Sequence, residues 1–307
     1  MWIYILLGVV GLLIITFLVI SLIVAHATFY NKEKIRPNIS TYEDQRKDME
    51  PILDQLLALE KETYQDIYIS SFDKVKLHGR LYQYNDSNKY AILFHGFQGT
   101  PVRDFSGGFY LVKDMGFNII MVDERAHGLS DSRFITMGVK ERKDVKAWAN
   151  YVYENHPDSQ IVLIGISMGA ASVLMASDLD LPNNVKCIIA DCPYYSPKAI
   201  CCKTCKDDLH FPIFIGWPVI FTGALLLGFN LSKGDARKSV KRTKIPCLII
   251  HGEIDQVVPV EMSEEIYLSN PEVVERYTFK SAKHGLSYIV DPEKYKKITN
   301  NFINKYI

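Results

Sequence analysis

Gly165-Ile166-Ser167-Met168-Gly169 stands between two stretches of opposite character. Gln160 to Ile164 is an apolar, β-branched run that reads as a buried strand, and Ala170 to Ala176 is a small-residue stretch that reads as a helix. A serine flanked two residues away on each side by glycine fits a strand–helix turn too tight for a Cβ at either glycine. Such a turn lifts the Ser167 hydroxyl to the end of the strand, beside the first turn of the helix. The pentapeptide alone is common by chance, so its surroundings must carry the argument.

Those surroundings alternate between strands and helices from about residue 65. Ile67 to Ile69 and Lys76 to Tyr82 flank a hairpin turn at Asp73-Lys74. Strands are then expected at Tyr90 to Phe94, Asn118 to Val122, Ile161 to Ile164, Lys186 to Ala190, Pro246 to Ile250 and Val274 to Phe279. Most are continuous apolar runs, as parallel strands covered on both faces require. Helical stretches such as Val139 to Glu154 and Val260 to Leu268 separate them. An antiparallel start followed by repeated strand–helix units predicts an α/β fold, a mainly parallel sheet between helical layers.

Ahead of this domain, Trp2 to Ala25 is apolar except for Thr16 and Ser21, and the first charged side chain is Lys32. About 24 helical residues reach roughly 36 Å, enough to cross a bilayer core of about 30 Å. Ala25-His26-Ala27 has the small-x-small form of a signal-peptide cleavage site. The apolar run is nevertheless longer than a typical signal core, and no basic residue precedes it. Residues 1–30 are therefore expected to be a single transmembrane anchor. Lys32, Lys34, Arg36, Arg46 and Lys47 all follow the span, which places the rest of the chain on the cytoplasmic side. Residues 31–64 read as a connector with one amphipathic helix, opened by Pro51 and striped by Ile52, Leu53, Leu56, Leu57 and Leu59. The 35 basic and 35 acidic side chains cancel, so no overall field favours nucleic acid.

A serine hydroxyl needs a base to become a nucleophile at neutral pH. His284, in Lys283-His284-Gly285 just after the last expected strand, is the candidate base. Asp255, in the loop His251 to Pro259 that follows the strand ending at Ile250, is the candidate acid to hold that imidazole. Asp191 ends another strand and is its rival. Ser167, Asp255 and His284 all fall beyond the C-terminal ends of parallel strands, where open α/β sheets place their sites. Backbone N–H groups of Phe97, in the glycine-rich loop Phe94 to Gly99, and of Met168 are the candidate donors to an oxyanion. No metal or organic cofactor is called for.

His95-Gly96-Phe97, Asp123 to Ser130, the Ser167 turn, His251-Gly252 through Pro259 and His284-Gly285 occur in the order and at the spacing of one family. On these motifs, residues 65–307 resemble the α/β-hydrolase superfamily. Within it they are most similar to bacterial serine aminopeptidase-like and monoglyceride-lipase-like hydrolases. The resemblance implies Ser167 as nucleophile, Asp255 as acid, His284 as base, and Phe97 and Met168 as oxyanion donors. It implies a serine hydrolase cleaving a carboxylic ester, with a peptidase or amidase, or a non-catalytic binding protein, as alternatives. Two departures are visible: Lys74 stands where the family's first hairpin usually has glycine, and Glu124-Arg125-Ala126 varies an arginine-glycine start.

His95 and His127 are expected to brace loops, His251 to hold its own turn, and Asp123 to tie down the loop after it. Cys201-Cys202-Lys203-Thr204-Cys205 lacks the second ligand pair of a structural zinc site and reads as small packing residues. Residues 194–240, with the apolar segment Phe211 to Phe229, are expected to form a small helical cap over Ser167. An apolar cap beside a bilayer anchor points to a lipid-like or acyl ester as the small-molecule partner.

Overall fold

The computed structural model describes residues 1–39, 43–84 and 87–307, the side chains of 43–45 excepted. Strands β1 (Gln65–Ser70), β2 (Lys76–Tyr82), β3 (Lys89–Phe94), β4 (Asn118–Asp123), β5 (Gln160–Ile166), β6 (Val185–Asp191), β7 (Cys247–Gly252) and β8 (Val274–Phe279) form one sheet, ordered β1-β2-β4-β3-β5-β6-β7-β8. Strand β2 is antiparallel to both its neighbours, and β3 to β8 are mutually parallel. The helices, in chain order, are α1 (Trp2–Phe29), α2 (Glu43–Met49), α3 (Leu53–Leu59), α4 (Pro101–Asp114), α5 (Glu141–Asn155), α6 (Met168–Ala176), α7 (Pro197–Lys203), α8 (Ile213–Leu226), α9 (Ala236–Val240), α10 (Val260–Ser269), α11 (Ser287–Val290) and α12 (Pro292–Tyr306).

Strand side chains alternate between two cores. Ile92, Phe94, Ile120, Val122, Leu163 and Ile249 join the core under α5, α6 and α10, while Ala91, Leu93, Ile119, Met121, Ile164 and Ile250 join the core under α3, α4 and α12. Every strand from β3 to β7 is covered on both faces, which is why its sequence is apolar without a break. In the first hairpin Lys74 adopts φ +64°, and Ala126 also adopts φ +64°. Both residues occupy left-handed backbone that favours glycine.

The connector helix is split. Pro51 lies in a 3₁₀ turn, Glu50–Ile52, ahead of α3. Ile52, Leu56 and Leu59 are buried against Val102, Phe105 and Phe109 of α4. The connector is thereby part of the α/β domain's packing rather than a free leash.

Helix α1 is long and apolar enough to cross a membrane, with mean hydropathy 3.0 over its best window. Residues 2–20 are exposed apart from Gly11, whereas Ser21, Ala25 and Phe29, one per turn, are buried. They pack on α8. A Cβ added at Gly223 would stand 2.0 Å from the Ser21 carbonyl oxygen, so the two backbones touch there. Further along, the Phe29 and Phe229 rings meet edge to face at 5.2 Å.

Here the structure departs from the expected cap. The apolar segment runs along α1, and none of the described residues between 194 and 240 lines the cavity beside Ser167. An all-round apolar helix gains more by burying itself against another apolar helix than by roofing a polar cleft. Gly223→Ala is expected to wedge α8 away from α1 at a cost of about 1–3 kcal/mol. In detergent this should read as a fall of roughly 2–8 °C in melting temperature. Unchanged melting would mean that the two helices are not packed together.

Candidate active site

The Ser167 turn is fixed by close backbone packing. A Cβ at Gly165 would meet the Gly169 carbonyl carbon at 2.3 Å, and one at Gly169 would meet the Phe94 carbonyl oxygen at 2.0 Å. Both glycines are therefore steric requirements. They leave Ser167 at φ +55°, ψ −112°, a conformation that L residues rarely adopt. Two hydrogen bonds hold it there: Ser167 N–H donates to the Asp191 carbonyl at 2.8 Å, and Ala171 N–H donates to the Ser167 carbonyl at 2.9 Å. Strand β5, strand β6 and the first turn of α6 together aim the hydroxyl out of the sheet's C-terminal end.

His284, on the loop between β8 and α11, reaches that hydroxyl. Its Nε2 lies 2.9 Å from Ser167 Oγ, and its Nδ1 lies 2.7 Å from Asp255 Oδ2. Asp255 is buried, and its Oδ1 accepts the N–H groups of Val257 and Val258, each at 2.8 Å. Burial opposes ionisation of this carboxyl, but hydrogen bonds from His251 and His284 and from the Val258 backbone outweigh it, holding the acid well below the usual carboxylate range. It is a carboxylate at any working pH. His251 is wholly buried and its Nε2 lies 2.9 Å from the Val258 carbonyl oxygen, tying the Asp255 loop closed.

The loop after β3 carries Phe97 to the same point. Gly96 N–H donates to Asp104 Oδ2 at 2.8 Å, and Gly99 N–H to the Gly96 carbonyl at 3.0 Å. His127 Nε2 accepts from Gln98 N–H and His95 Nε2 from Glu124 N–H, each at 3.1 Å, which requires both rings to be neutral. Burial lowers the pKa of each, His127 the more strongly. Both brace loops. Asp123 accepts Leu129 N–H at 2.9 Å and lies 2.7 Å from His78 Nδ1, so it ties down the following loop. Among the described residues the N–H groups of Phe97 and Met168 find no protein acceptor, as expected for a loop N–H and the first residue of a helix.

A cavity of about 660 Å³ opens at Ser167. Leu93, Leu111, Val112, Ile164 and Ile189 form its apolar end, and Arg36, Asp48 and Met49 of the connector wall its mouth. The Lys283 ammonium, next to His284, holds Asp48 at 3.0 Å. Asp191, the rival acid, also lines the cavity, but the imidazole of His284 is bonded to Asp255. Burial first, then the nearby Asp255 charge, raises the Asp191 pKa to about 6 against the partial relief given by His251, Tyr295 and His284.

Sequence reasoning overlooked Cys192. Its Sγ lies 4.0 Å from His284 Nε2, on a residue at φ +49° directly after β6. The strand-end rule that singled out the other positions also applies to it. Burial, followed by the charges of Asp191 and Asp255, pushes its thiol well up, so it stays protonated. Cys192, Asp255 and His284 bring donor atoms within 4.8 Å of one another, but those of Asp255 and His284 are already bonded to each other. In the cysteine cluster, Cys201 and Cys205 are buried, and Cys205 Sγ packs where a Cβ on Gly216 would come within 3.0 Å.

Comparison with known proteins agrees with this architecture. Residues 92–207 match the family model of the alpha/beta hydrolase fold. The Bacillus subtilis (strain 168) protein YqkD is 22% identical over 301 residues, covering 96% of this chain and 95% of its own. The esterase Pf2001 of Pyrococcus furiosus superposes with a TM-score of 0.68 at 24% identity, over 91% of this chain and 98% of that one. The acylaminoacyl peptidase of Pyrococcus horikoshii gives 0.58 at 18% identity, over 83% of this chain and 43% of that one. With its sheet order, its Ser167 turn and this family match in hand, the chain has the α/β-hydrolase fold.

Proposed function

We propose that the chain is a membrane-anchored serine hydrolase that cleaves carboxylic esters with an apolar acyl group. The carrying observation is the unbroken relay from Ser167 Oγ through His284 to Asp255, at 2.9 Å and 2.7 Å. Asp255, as a carboxylate, accepts from Nδ1–H and so leaves Nε2 as the lone-pair nitrogen facing the hydroxyl. As Ser167 Oγ attacks the ester carbonyl, Nε2 takes its proton. The carbonyl oxygen becomes an oxyanion, to which the N–H groups of Phe97 and Met168 donate. His284 returns the proton to the departing alcohol, leaving an acyl group on Ser167. Water then enters and attacks the acyl carbonyl as Nε2 takes its proton, and Nε2 returns that proton to Ser167 Oγ as the acyl–Oγ bond breaks and the acid leaves.

An apolar cavity end suits an acyl chain, and the similarly folded esterase supports an ester over other carbonyl substrates. Helix α1 is read as the anchor, with the basic residues that follow it on the cytoplasmic side. Peptide or amide cleavage is the outcome to test against, since one neighbour of this fold is a peptidase.

A fluorophosphonate probe is expected to label the wild type and not Ser167→Ala. Absence of labelling would leave a non-catalytic binding protein. Turnover of p-nitrophenyl esters is expected to exceed that of aminoacyl anilides, and the reverse ranking would make the protein an amidase. His284→Ala and Asp255→Asn should each lower kcat by about 10³–10⁴-fold.

Asp191→Asn separates the two acids. It should leave turnover within a few-fold of wild type, and a loss as large as that of Asp255→Asn would reassign the acid. Because the folded Asp191 carboxyl titrates near 6, above its ordinary 3.8, the folded state holds its proton more tightly than the unfolded chain. Its contribution to stability is therefore present below pH 4 and is lost as the pH rises through 6. The asparagine variant should gain about 3 kcal/mol over wild type at pH 8 and nothing at pH 3.5. Melting curves across that range check it.

A further inference from the structure

Among the described residues, the cavity mouth carries one basic side chain that no carboxylate pairs with. Of the basic residues lining the cavity, Arg103 pairs with Asp104 at 3.0 Å and Lys283 with Asp48 at 3.0 Å. Among the described residues, the Arg36 side chain makes a single hydrogen bond, from Nη2 to Asn31 Oδ1 at 2.9 Å, and its Nε has no partner.

Arg36 is held in place on both sides. Asn31 is fully buried, donates its side-chain amide to the Ala126 carbonyl at 2.8 Å and its N–H to the Arg133 carbonyl at 2.8 Å. Gly128 N–H donates to the Lys34 carbonyl at 2.8 Å. Beyond Arg36, Asn38 Oδ1 accepts from Thr100 Oγ1 and its amide donates to Glu60 Oε1, both at 2.8 Å. Residues 31–38 thus form a strap pinned across the loops after β3 and β4, with Arg36 in its middle. The charge acts on His127, the ring that accepts Gln98 N–H beside Phe97.

A half-buried guanidinium without a counter-ion is costly unless a ligand supplies one. Held this way at the cavity wall, the guanidinium offers its charge and its uncommitted Nη1 donors to a carboxylate or phosphate. The apolar end of the cavity takes the acyl chain, so an anionic group at the mouth belongs to the alcohol portion of the ester. Resting on the hydrolase reading above, we propose that Arg36 selects acyl esters whose alcohol portion carries a phosphate or carboxylate.

Full-length protein in a neutral maltoside detergent can be offered three decanoyl esters: of glycerol, of glycerol 3-phosphate and of glycolate. The wild type should favour at least one anionic ester over the glycerol ester by 10- to 100-fold in kcat/KM, and the two anionic arms separate phosphate from carboxylate. Arg36→Gln should abolish the preference through KM while leaving the glycerol ester within two-fold, which also shows that the variant is folded. Arg36→Lys should keep part of it. Equal turnover of all three esters by the wild type, with Ser167 still labelled by fluorophosphonate, would overturn this proposal alone. So would an equal loss on all three in Arg36→Gln. Failure of Ser167 to label would remove the hydrolase reading, and this proposal with it.

Discussion

The contact between Gly169 and the Phe94 carbonyl sets the geometry of the whole C-terminal edge of the sheet. With no side chain at Gly169, helix α6 starts in van der Waals contact with the end of β3. That proximity forces the chain to reverse at Ser167 within a single residue, at positive φ. It also brings the loop that carries Phe97 beside Ser167 at the start of α6. The strain at one serine is sustained by the fully buried α6, every residue of which is packed between its neighbours. Active-site strain of this kind persists only where the surrounding packing over-determines it.

Around that point the polar groups divide into those that hold loops and those left to face the cavity. His95, His127 and Asp123 each spend their polar atoms on backbone groups or on another side chain, and His251 commits its Nε2 in the same way. Asp255 accepts bonds at both oxygens and so keeps His284 in one orientation. Among the described residues, those facing the cavity include the Ser167 hydroxyl with its imidazole and the Arg36 guanidinium, which is bonded only through Nη2. Buried groups that brace and accessible groups that are free form a division of labour imposed by desolvation: a polar atom taken from water must find a partner.

Much of this was legible in the residues. Continuous apolar runs mark strands covered on both faces, and Gly165 and Gly169 mark a turn because only glycine tolerates the approach found there. Ser167, Asp255 and His284 could be placed at strand ends from the order of the elements, although the distances between them belong to the structure. The strap from Asn31 to Asn38 was not legible: it is polar, aperiodic and held by backbone bonds to loops roughly a hundred residues away. The insertion was read as a roof because of its place between the sixth strand and the loop of Asp255, where hydrolases of this fold carry a lid. The contacts of Gly223 with Ser21 and of Phe229 with Phe29 reveal that α1 covers it, and no periodicity encodes which of two apolar partners a helix will meet. Cys192 escaped notice because a small buried thiol is usually packing.

Gly223 seated on Ser21 has a mechanical corollary. An anchor joined to its domain by a loose leash lets that domain swivel, so its cleft samples every bearing above the lipid. Here α1 is clamped by α8, and its last residues continue as a bridge from Tyr30 to Phe134. With α1 across a bilayer, the domain becomes a fixed bracket, and its cleft keeps one compass direction relative to the membrane normal. Anything approaching along the bilayer surface would then meet the Ser167 entrance from a single sector, at one constant height.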